Sequence, residues 1–351
     1  MARVLAAILA VLMLTSCTGG GTPAPAPSDA QSPQPTNAPT ASSEPLRVTV
    51  MTYNVLGGSP PRKWFPQIDP SELDPMVREP ATVALVEHVD ADIIGLQEYR
   101  PMLDAGKQMV TDLSQYTWVT PDASAGREAV AIPILYRTSR FEELDSGKEM
   151  VTKIGDGGAW LDRFVNWVEL LDSDSGHRLF VFNYHGHHRQ TEAMAAVRSA
   201  AIDSLLELIE RVNPGLTQPF VIVGDFNAPS HETRPLFDDH IRKFESRGIL
   251  DSATIAERDA SDVPRAASLH KMSDKVDGRE VGKVVRRNGV HIDYVWVPDR
   301  AEVRSWATVT GPDVEWREVR GKKVPVWTGI IPSDHSPVVA DLLFPVGHSG
   351  D

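Results

Sequence analysis

Phe220-Val221-Ile222-Val223-Gly224-Asp225-Phe226-Asn227 is the stretch on which the reading of this chain turns. Four consecutive apolar residues describe a strand of the fully buried kind, and Gly224 permits a tight exit from it. Asp225 and Asn227 lie two positions apart, so both can point to one side while Phe226 packs away. A carboxylate there can orient a water molecule or assist a leaving oxygen, and the amide can donate to a phosphoryl group as negative charge builds on it. An Asx turn, which Asp and Asn form readily, explains the same residues about as well. The rest of the chain must decide.

Leu46 to Val55 is a β-rich run that alternates apolar and polar residues. It breaks into a loop at Leu56-Gly57-Gly58-Ser59-Pro60-Pro61 that runs to Glu72 and carries Trp64 and Phe65. Val77 to Val89 has helical spacing, and Asp92 to Gln97 is a short apolar strand ending on Glu98. Further strands are predicted at Ala129 to Tyr136, Asn166 to Leu171, Arg178 to Tyr184, His291 to Val297 and Ser336 to Leu343. Thr191 to Val212 is a long amphipathic helix. Many strands with helical patterns between strand pairs point to an α/β domain, two sheets packed face to face with helices outside.

One feature recurs along this walk. Asn54, Glu98, Asn183 with His185, Asp225 with Asn227, and Asp293 each adjoin the end of an apolar strand, while Asp334 and His335 just precede the last one. Sheets that gather those ends on one edge present carboxylates, amides and imidazoles together, which is what a hard cation and a phosphate require. A carboxylate such as Glu98 is costly to bury without a partner, although a strand-end Glu facing water is common. Adjacent residues rarely bond each other, so His335 needs a partner from elsewhere than Asp334. Asp293, inside an apolar strand, is the natural one, and an Asp–His pair makes the imidazole a better base near neutral pH. Asp334 is then free to face a metal; a surface Asp-His turn is the plain alternative. His185 can donate to a non-bridging phosphate oxygen, and His187 and His188 raise a second, transition-metal-like site that no spaced carboxylate or cysteine completes. Tyr136 either bonds a substrate oxygen or packs in the core.

The two ends of the 351-residue chain read differently from its middle. Residues 1 to 17 have the anatomy of an export signal: Arg3, an apolar run from Val4 to Leu14 too short to span a bilayer, and small residues before Cys17. The Leu-x-Ser-Cys ending resembles a bacterial lipobox, in which Cys17 carries the lipid. Residues 18 to 45 are rich in Pro, Ala, Ser and Thr and read as an extended tether. The folded domain is expected over 46 to 345, with a short tail at 346 to 351. Cys17 is the single cysteine, which excludes a catalytic thiol, a thiolate metal site and disulfides from that domain. The formal charge of −13 argues against tight, nonspecific nucleic-acid binding. The segment from Asp251 to Asn288 runs against that balance, with Arg265, Lys271, Lys275, Lys283, Arg286 and Arg287; it could touch a phosphate-rich substrate, but a solvated charge run explains it more simply.

Six short motifs now stand in order: Thr52-Tyr53-Asn54, Leu96-Gln97-Glu98, Asn183-Tyr184-His185, Gly224-Asp225-Phe226-Asn227, His291-Ile292-Asp293-Tyr294 and Ser333-Asp334-His335. With them the chain resembles the endonuclease/exonuclease/phosphatase (DNase I-like) superfamily across nearly the whole domain. The third motif departs from it, with Tyr184 where many members have Thr. The resemblance implies a four-layer sandwich of two packed mixed β-sheets flanked by helices, and attack of water on phosphorus assisted by Mg²⁺ or Mn²⁺. It implies Glu98 as principal metal ligand with Asn54 and Asp334 nearby, and His335 with Asp293 as a base pair. His185 and Asn227 would steady the phosphoryl oxygens, and Asp225 would position the nucleophile or help the leaving group.

The expected function is a phosphoesterase anchored through Cys17 at the outer face of a membrane, monomeric, acting on a lipid or small-molecule phosphate ester. The aromatic loop at Trp64 and Phe65 could lie against lipid or pack in the core. A secreted DNA or RNA endonuclease is the second expectation. An inactive lipoprotein binding module on the same fold is the third, although none of the six motifs lacks its carboxylate or imidazole.

Overall fold

The first strand, β1 (Leu46–Asn54), turns Val48 and Val50 to one apolar cluster and Met51 and Tyr53 to another, so both of its faces are buried. That division repeats across the molecule and sets its layers. The computed structural model describes residues 44–65, 68–152, 162–230, 234, 236–262, 267–270, 274–276, 279–281, 291–319 and 321–345. The export-like segment, Cys17 and the tether lie outside the described residues.

After β1 come α1 (Pro75–Val89), β2 (Ile93–Gln97), α2 (Asp104–Asp112), β3 (Tyr116–Val119), α3 (Arg127–Val130) and β4 (Ile134–Arg137). The middle of the chain supplies β5 (Phe141–Thr152), β6 (Arg163–Asp172), β7 (Arg178–His185), α4 (Glu192–Val212), β8 (Phe220–Asp225), α5 (Asp239–Glu245), β9 (Ile249–Asp251) and α6 (Ser252–Ile255). The last part supplies β10 (Asp274–Val276), β11 (Arg279–Val281), β12 (Asp293–Pro298), β13 (Glu302–Thr308), β14 (Val314–Val319), β15 (Lys322–Trp327) and β16 (Val338–Phe344). One six-stranded sheet has the order β13-β16-β1-β2-β4-β3, and the other β5-β6-β7-β8-β12-β9. Each contains one parallel pair, β1 with β2 and β7 with β8, among antiparallel neighbours, so both sheets are mixed. A small sheet, β10-β11-β15-β14, lies apart from them and was not expected from the sequence.

Period-two alternation builds the sandwich. In β8, Val221 and Val223 join Val48, Val50, Ile93, Val181 and Val295 between the two sheets. Phe220 and Ile222 point the other way, onto Ile202, Leu205, Leu208 and Ile209 of α4. Each of those four helix side chains contributes roughly 2 kcal/mol on burial. Met51, Tyr53, Ile94 and Leu96 meet Val83 and Val86 of α1 and Met109 of α2 on the opposite outer face. The result is helices, sheet, sheet, helices. Thr191 caps α4 by accepting from Met194 N, and Asp74 caps α1 by accepting from Met76 N.

The structure decides two local expectations. Ala129 and Val130 are helical, not strand: the Asn166 amide takes the carbonyls of Ala129 and Ile132, and Tyr99 N takes that of Ala131. The ladder begins only after Pro133, which has no N–H to give. Phe65 does not face outward: it is buried with Leu56, Ile68, Leu73, Trp327 and Ile331. The Trp64 side chain lies outside the described part. Of the basic segment, Arg265, Lys271, Lys283, Arg286 and Arg287 also lie outside it, as does the side chain of Lys275 in β10.

Candidate active site

The alternation that fills the space between the sheets also aims the polar residues at their ends. Asn54 keeps the phase of Val48 and Val50, His185 that of Leu179 and Val181, Asp225 that of Val221 and Val223, and Asp293 that of Val295 and Val297. All four therefore emerge at the rim of the layer between the sheets. Register brings them side by side: Asp225 is paired with His185 on β7 and with Asp293 on β12.

A polar floor separates this rim from the apolar core. Gln97 Nε2 donates to Asn183 Oδ1 at 2.8 Å and to Thr52 Oγ1 at 3.0 Å, while Asn183 Nδ2 donates to the carbonyls of Leu96 and Pro133, both at 2.8 Å. These buried bonds tie one sheet to the other directly beneath the site. Sequence reading had placed Gln97 and Asn183 in motifs without giving either a task; two amides on facing strand ends were the available signal.

Asp225 is the hub. Its Oδ1 accepts from Asn227 N at 2.8 Å, and its Oδ2 accepts from Asn54 Nδ2 at 3.0 Å and Asn227 Nδ2 at 3.1 Å. His185 Nε2 lies 3.5 Å and His335 Nε2 3.9 Å from the same Oδ2. Burial alone would raise this carboxyl, but the His185 bond, the His335 and His185 charges and the Asn54 amide outweigh it, taking it to about 2. The turn that delivers Asn227 is left-handed at that residue, φ +51°, which Asn tolerates well. Gly224 is required where it stands, because a Cβ there would overlap the Tyr184 backbone carbonyl of the neighbouring strand.

His335 faces Asp293, with Nδ1 at 2.9 Å from Oδ2 and 3.2 Å from Oδ1. Burial works against the imidazolium, yet the Asp293, Asp225 and Asp334 carboxylates together hold His335 well above the ordinary histidine range. Asp293 is completely buried, and Ser268 Oγ accepts from its backbone N–H at 3.3 Å. The last loop is pinned from three sides: Ser333 Oγ donates to Asn54 O at 2.6 Å, His270 N to Asp334 O at 3.0 Å, and Ser336 N to Ser268 O at 2.7 Å.

Glu98 follows β2 with φ +59°, a left-handed conformation that costs a side-chain-bearing residue about 1 kcal/mol or more. Asn54 Nδ2 donates to Glu98 Oε1 at 3.3 Å as well as to Asp225. Asn54 Oδ1 is occupied by Leu56 N at 3.1 Å, so this side chain presents its N–H₂, not its carbonyl, to the carboxylates. Asp334 is partly exposed, and its carboxyl is raised by burial and further by the Glu98 and Asp225 charges, against the pull of His335. Asp225, Asp293 and His335 also form a group whose ligand atoms lie within 4.8 Å of one another. Since both Asp293 oxygens are taken up by His335, the better donors for a hard cation are the carboxylates of Glu98 and Asp334. Oxygen donors that repel one another fit Mg²⁺ or Mn²⁺ chemically.

Arg78 was missed by sequence reading. This buried side chain donates to the carbonyls of Val55 (3.3 Å), Leu56 (2.6 Å), Gly58 (2.7 Å) and Pro332 (2.9 Å). It thereby ties the loop after Asn54 to the loop before Asp334 and places a positive charge behind both. A lone Arg in a helical segment carries no sequence signal of that task.

Two expectations fail to meet the site. Tyr136 lies between the sheets, opposite Ile93 in the β2–β4 register, four residues short of Gln97. That is about 13 Å down the strand from the rim, with its hydroxyl directed to Thr117 and Glu143. Tyr136 is a core residue. The histidines after β7 do not form a metal group among the described residues either: His187 and His188 stack at 5.1 Å, and His187 Nδ1 accepts from Arg189 N.

The sequence pattern of the Endonuclease/Exonuclease/phosphatase family matches residues 51–335, the whole span that carries these residues. The chain belongs to that family. Among curated proteins no sequence match is found. Solved structures repeat the fold of the family. An endonuclease/exonuclease/phosphatase family protein from Bacteroides thetaiotaomicron is 21% identical, with a TM-score of 0.62 over 86% of this chain and 99% of that one. A mannosyl-6-phosphatase from the same organism is 22% identical, with a TM-score of 0.61 over 85% and 100%. The human Nocturnin catalytic domain with a bound sulfate anion is 17% identical, with a TM-score of 0.55 over 84% and 94%.

Proposed function

We propose that this protein is an exported, metal-dependent phosphoesterase that hydrolyses a small-molecule or lipid phosphate ester by attack of water on phosphorus. One observation carries the reading: Asp225, which accepts from the Asn54 and Asn227 amides, stands between His185 and the His335–Asp293 pair, beside the oxygen-rich Glu98 and Asp334. With its carboxyl near 2, Asp225 stays ionised but is too weak a base to take up the proton of attacking water; it is placed to accept a hydrogen bond from that water and hold it in line. His335 and His185, with the Asn227 amide, are donors toward the phosphoryl oxygens, where negative charge grows as the bond to water forms. A divalent ion at Glu98 and Asp334 supplies charge neutralisation of those same oxygens when bound.

The acidic balance of the chain supports a small ester over duplex nucleic acid, and the fold shared with a mannosyl-6-phosphatase is in keeping with a monoester. Export and anchoring rest on the lipobox-like Leu14-Thr15-Ser16-Cys17 and the tether after it. No helix among the described residues is long and apolar enough to cross a membrane.

The full chain, purified in detergent, is expected to hydrolyse esters from a panel of bis-p-nitrophenyl phosphate, sugar phosphates, phosphoinositides, sphingomyelin, nucleotides, RNA and plasmid DNA when Mg²⁺ or Mn²⁺ is added. EDTA and His335→Ala should each abolish turnover. Absent or metal-independent hydrolysis across the panel overturns the enzyme reading, and selective cleavage of DNA or RNA makes the protein a nuclease instead. Detergent phase partitioning of wild type and Cys17→Ser tests the anchor separately.

A further inference from the structure

The loops that follow β7 and β8 are laced together by side chains that the hydrolytic step does not use. Arg198 stands in the second turn of α4, a helix fixed to its sheet by Ile202, Leu205, Leu208 and Ile209. It is buried, and its guanidinium reaches back over the loop that precedes the helix. Nη1 donates to His187 O at 2.7 Å and to Arg189 O at 2.8 Å, and Nη2 to Gln190 Oε1 at 3.4 Å. The Phe237 ring lies 5.8 Å from the same guanidinium. Gln190 carries the connection onward to the other loop: its Nε2 donates to Asn227 O at 2.7 Å, and also to His188 O at 3.3 Å.

Closer to the site the two loops meet directly. Gly186 N donates to Asp225 O at 2.7 Å, and Asn227 Nδ2 donates to Gly186 O at 3.2 Å. A Cβ at Gly186 would overlap the Phe226 carbonyl, so the two backbones touch with no room for a side chain. His185 and the Asp225–Asn227 turn flank this contact and take their relative placement from it. The bond from Gln190 fixes the carbonyl of Asn227, the residue held in a left-handed conformation at φ +51°. A forked guanidinium can hold several carbonyls of one loop at once, and a carboxamide can accept from it while donating beyond it. The metal-facing residues are tied from the other side of the sandwich, where Arg78 of α1 holds the loop after Asn54 and the loop before Asp334. Each outer helix layer thus carries a buried arginine that serves its own pair of rim loops.

We propose that Arg198 and Gln190 are positioning residues for the phosphoryl-facing half of the site. Through the Asn227 carbonyl they align Asp225 and Asn227 with His185, and they leave the Glu98–Asp334 half, held from Arg78, unchanged. The chemistry rests on the phosphoesterase reading, whereas the link between the loops does not. Both residues act through others, and misplacement of reacting groups by about 1 Å costs up to about 10²-fold in rate.

The decisive variant is Gln190→Ala, because Gln190 is exposed and its loss spares the bonds from Arg198 to His187 O and Arg189 O. In the full chain, kcat for bis-p-nitrophenyl phosphate should fall about tenfold, the size of one lost hydrogen bond. The dissociation constant for Mn²⁺, from calorimetric titration, should stay within about twofold of wild type. Gln190→Glu keeps an acceptor for Arg198 but has no donor for Asn227 O, so it should lose as much as the alanine variant. Arg198→Lys should lose more, up to about 10²-fold. Gln108→Ala, which removes a surface bond to Asp112 on α2, is the control and should leave kcat in place. Hydrogen–deuterium exchange of the metal-free protein reads the alignment without turnover. In Gln190→Ala the amides of residues 186–190 and 225–228 should exchange about tenfold faster, and those of 55–58 should not change. A kcat within about twofold of wild type in Gln190→Ala, or a fall matched by equal weakening of Mn²⁺ binding, overturns the proposal. If the wild type does not turn over the ester at all, the phosphoesterase reading fails by itself. Exchange then still decides the link, and unchanged amides at 186–190 and 225–228 overturn it.

Discussion

Asp225 and Asp293 are register partners on adjacent antiparallel strands, and both carboxylates are all but fully buried, at 1% and 0% exposure. Two such charges side by side are tolerable only with strong partners. Asp293 has the His335 ring, and Asp225 has the Asn54 amide, the Asn227 backbone and His185. The pair thus polarises His335 from two sides.

Asp293→Asn keeps the shape but removes the charge that holds His335 cationic. Turnover of the best ester in the panel should fall about 10²- to 10⁴-fold. The far-ultraviolet circular dichroism spectrum should be unchanged, and a variant retaining wild-type kcat would remove Asp293 from the machinery.

Glu98→Gln separates metal binding from folding. Asp334 feels the Glu98 charge, so neutralising Glu98 relieves repulsion, and the melting temperature in EDTA should hold or rise. In wild type, Mg²⁺ or Mn²⁺ at about 100 times its Kd should add about 2.7 kcal/mol of stability. That gain should be lost in the variant, as read by thermal unfolding with and without the ion.

Arg78→Met leaves four carbonyls, those of Val55, Leu56, Gly58 and Pro332, without their donor. The expected cost is about 3 kcal/mol or more. Urea unfolding measures it, and a loss below about 1 kcal/mol would show that the clamp is dispensable.

Gly224→Ala drives a methyl group into the Tyr184 carbonyl on the strand paired with β8. Destabilisation of about 4 kcal/mol or more is expected, at the upper end for single substitutions. The neighbouring Phe226→Leu, within the aromatic cluster of Tyr184, Phe244 and Tyr294, should be much milder.

Acid should destabilise the fold before its carboxylates titrate. Burial pulls His187 down to about 4 and His240 and His270 to about 3, so each stays neutral when folded and takes a proton only on unfolding. The unfolded chain therefore binds more protons below pH of about 6.5, and stability falls with pH by up to about 1.4 kcal/mol per unit for each histidine. His335 is raised, so its contribution is complete below that pH and is lost only on going alkaline. The raised carboxyl of Asp334 opposes the trend, taking up its proton while folded. Melting temperatures at pH 7, 6 and 5 in EDTA should decrease in that order.

What the sequence determined by itself was the inventory and its phase. Apolar strands flanked by Asn54, Glu98, His185, Asp225 and Asp293, with Asp334 and His335 before the last, follow from period-two alternation, which is local and needs no knowledge of neighbours. The two-sheet sandwich followed from the same runs and the helical patterns between them. Only the tertiary structure decided which side chains meet. Register between β7, β8 and β12 put Asp225 between His185 and Asp293, and a strand offset of four residues removed Tyr136 from the rim. The Gln97–Asn183 tie and the Arg78 clamp join residues 20 to more than 250 positions apart. No local pattern encodes such contacts, because they depend on how whole layers dock. Asp293 shows the division in one residue: its alternation aimed it at the rim, and the docking of the last loop gave it His335.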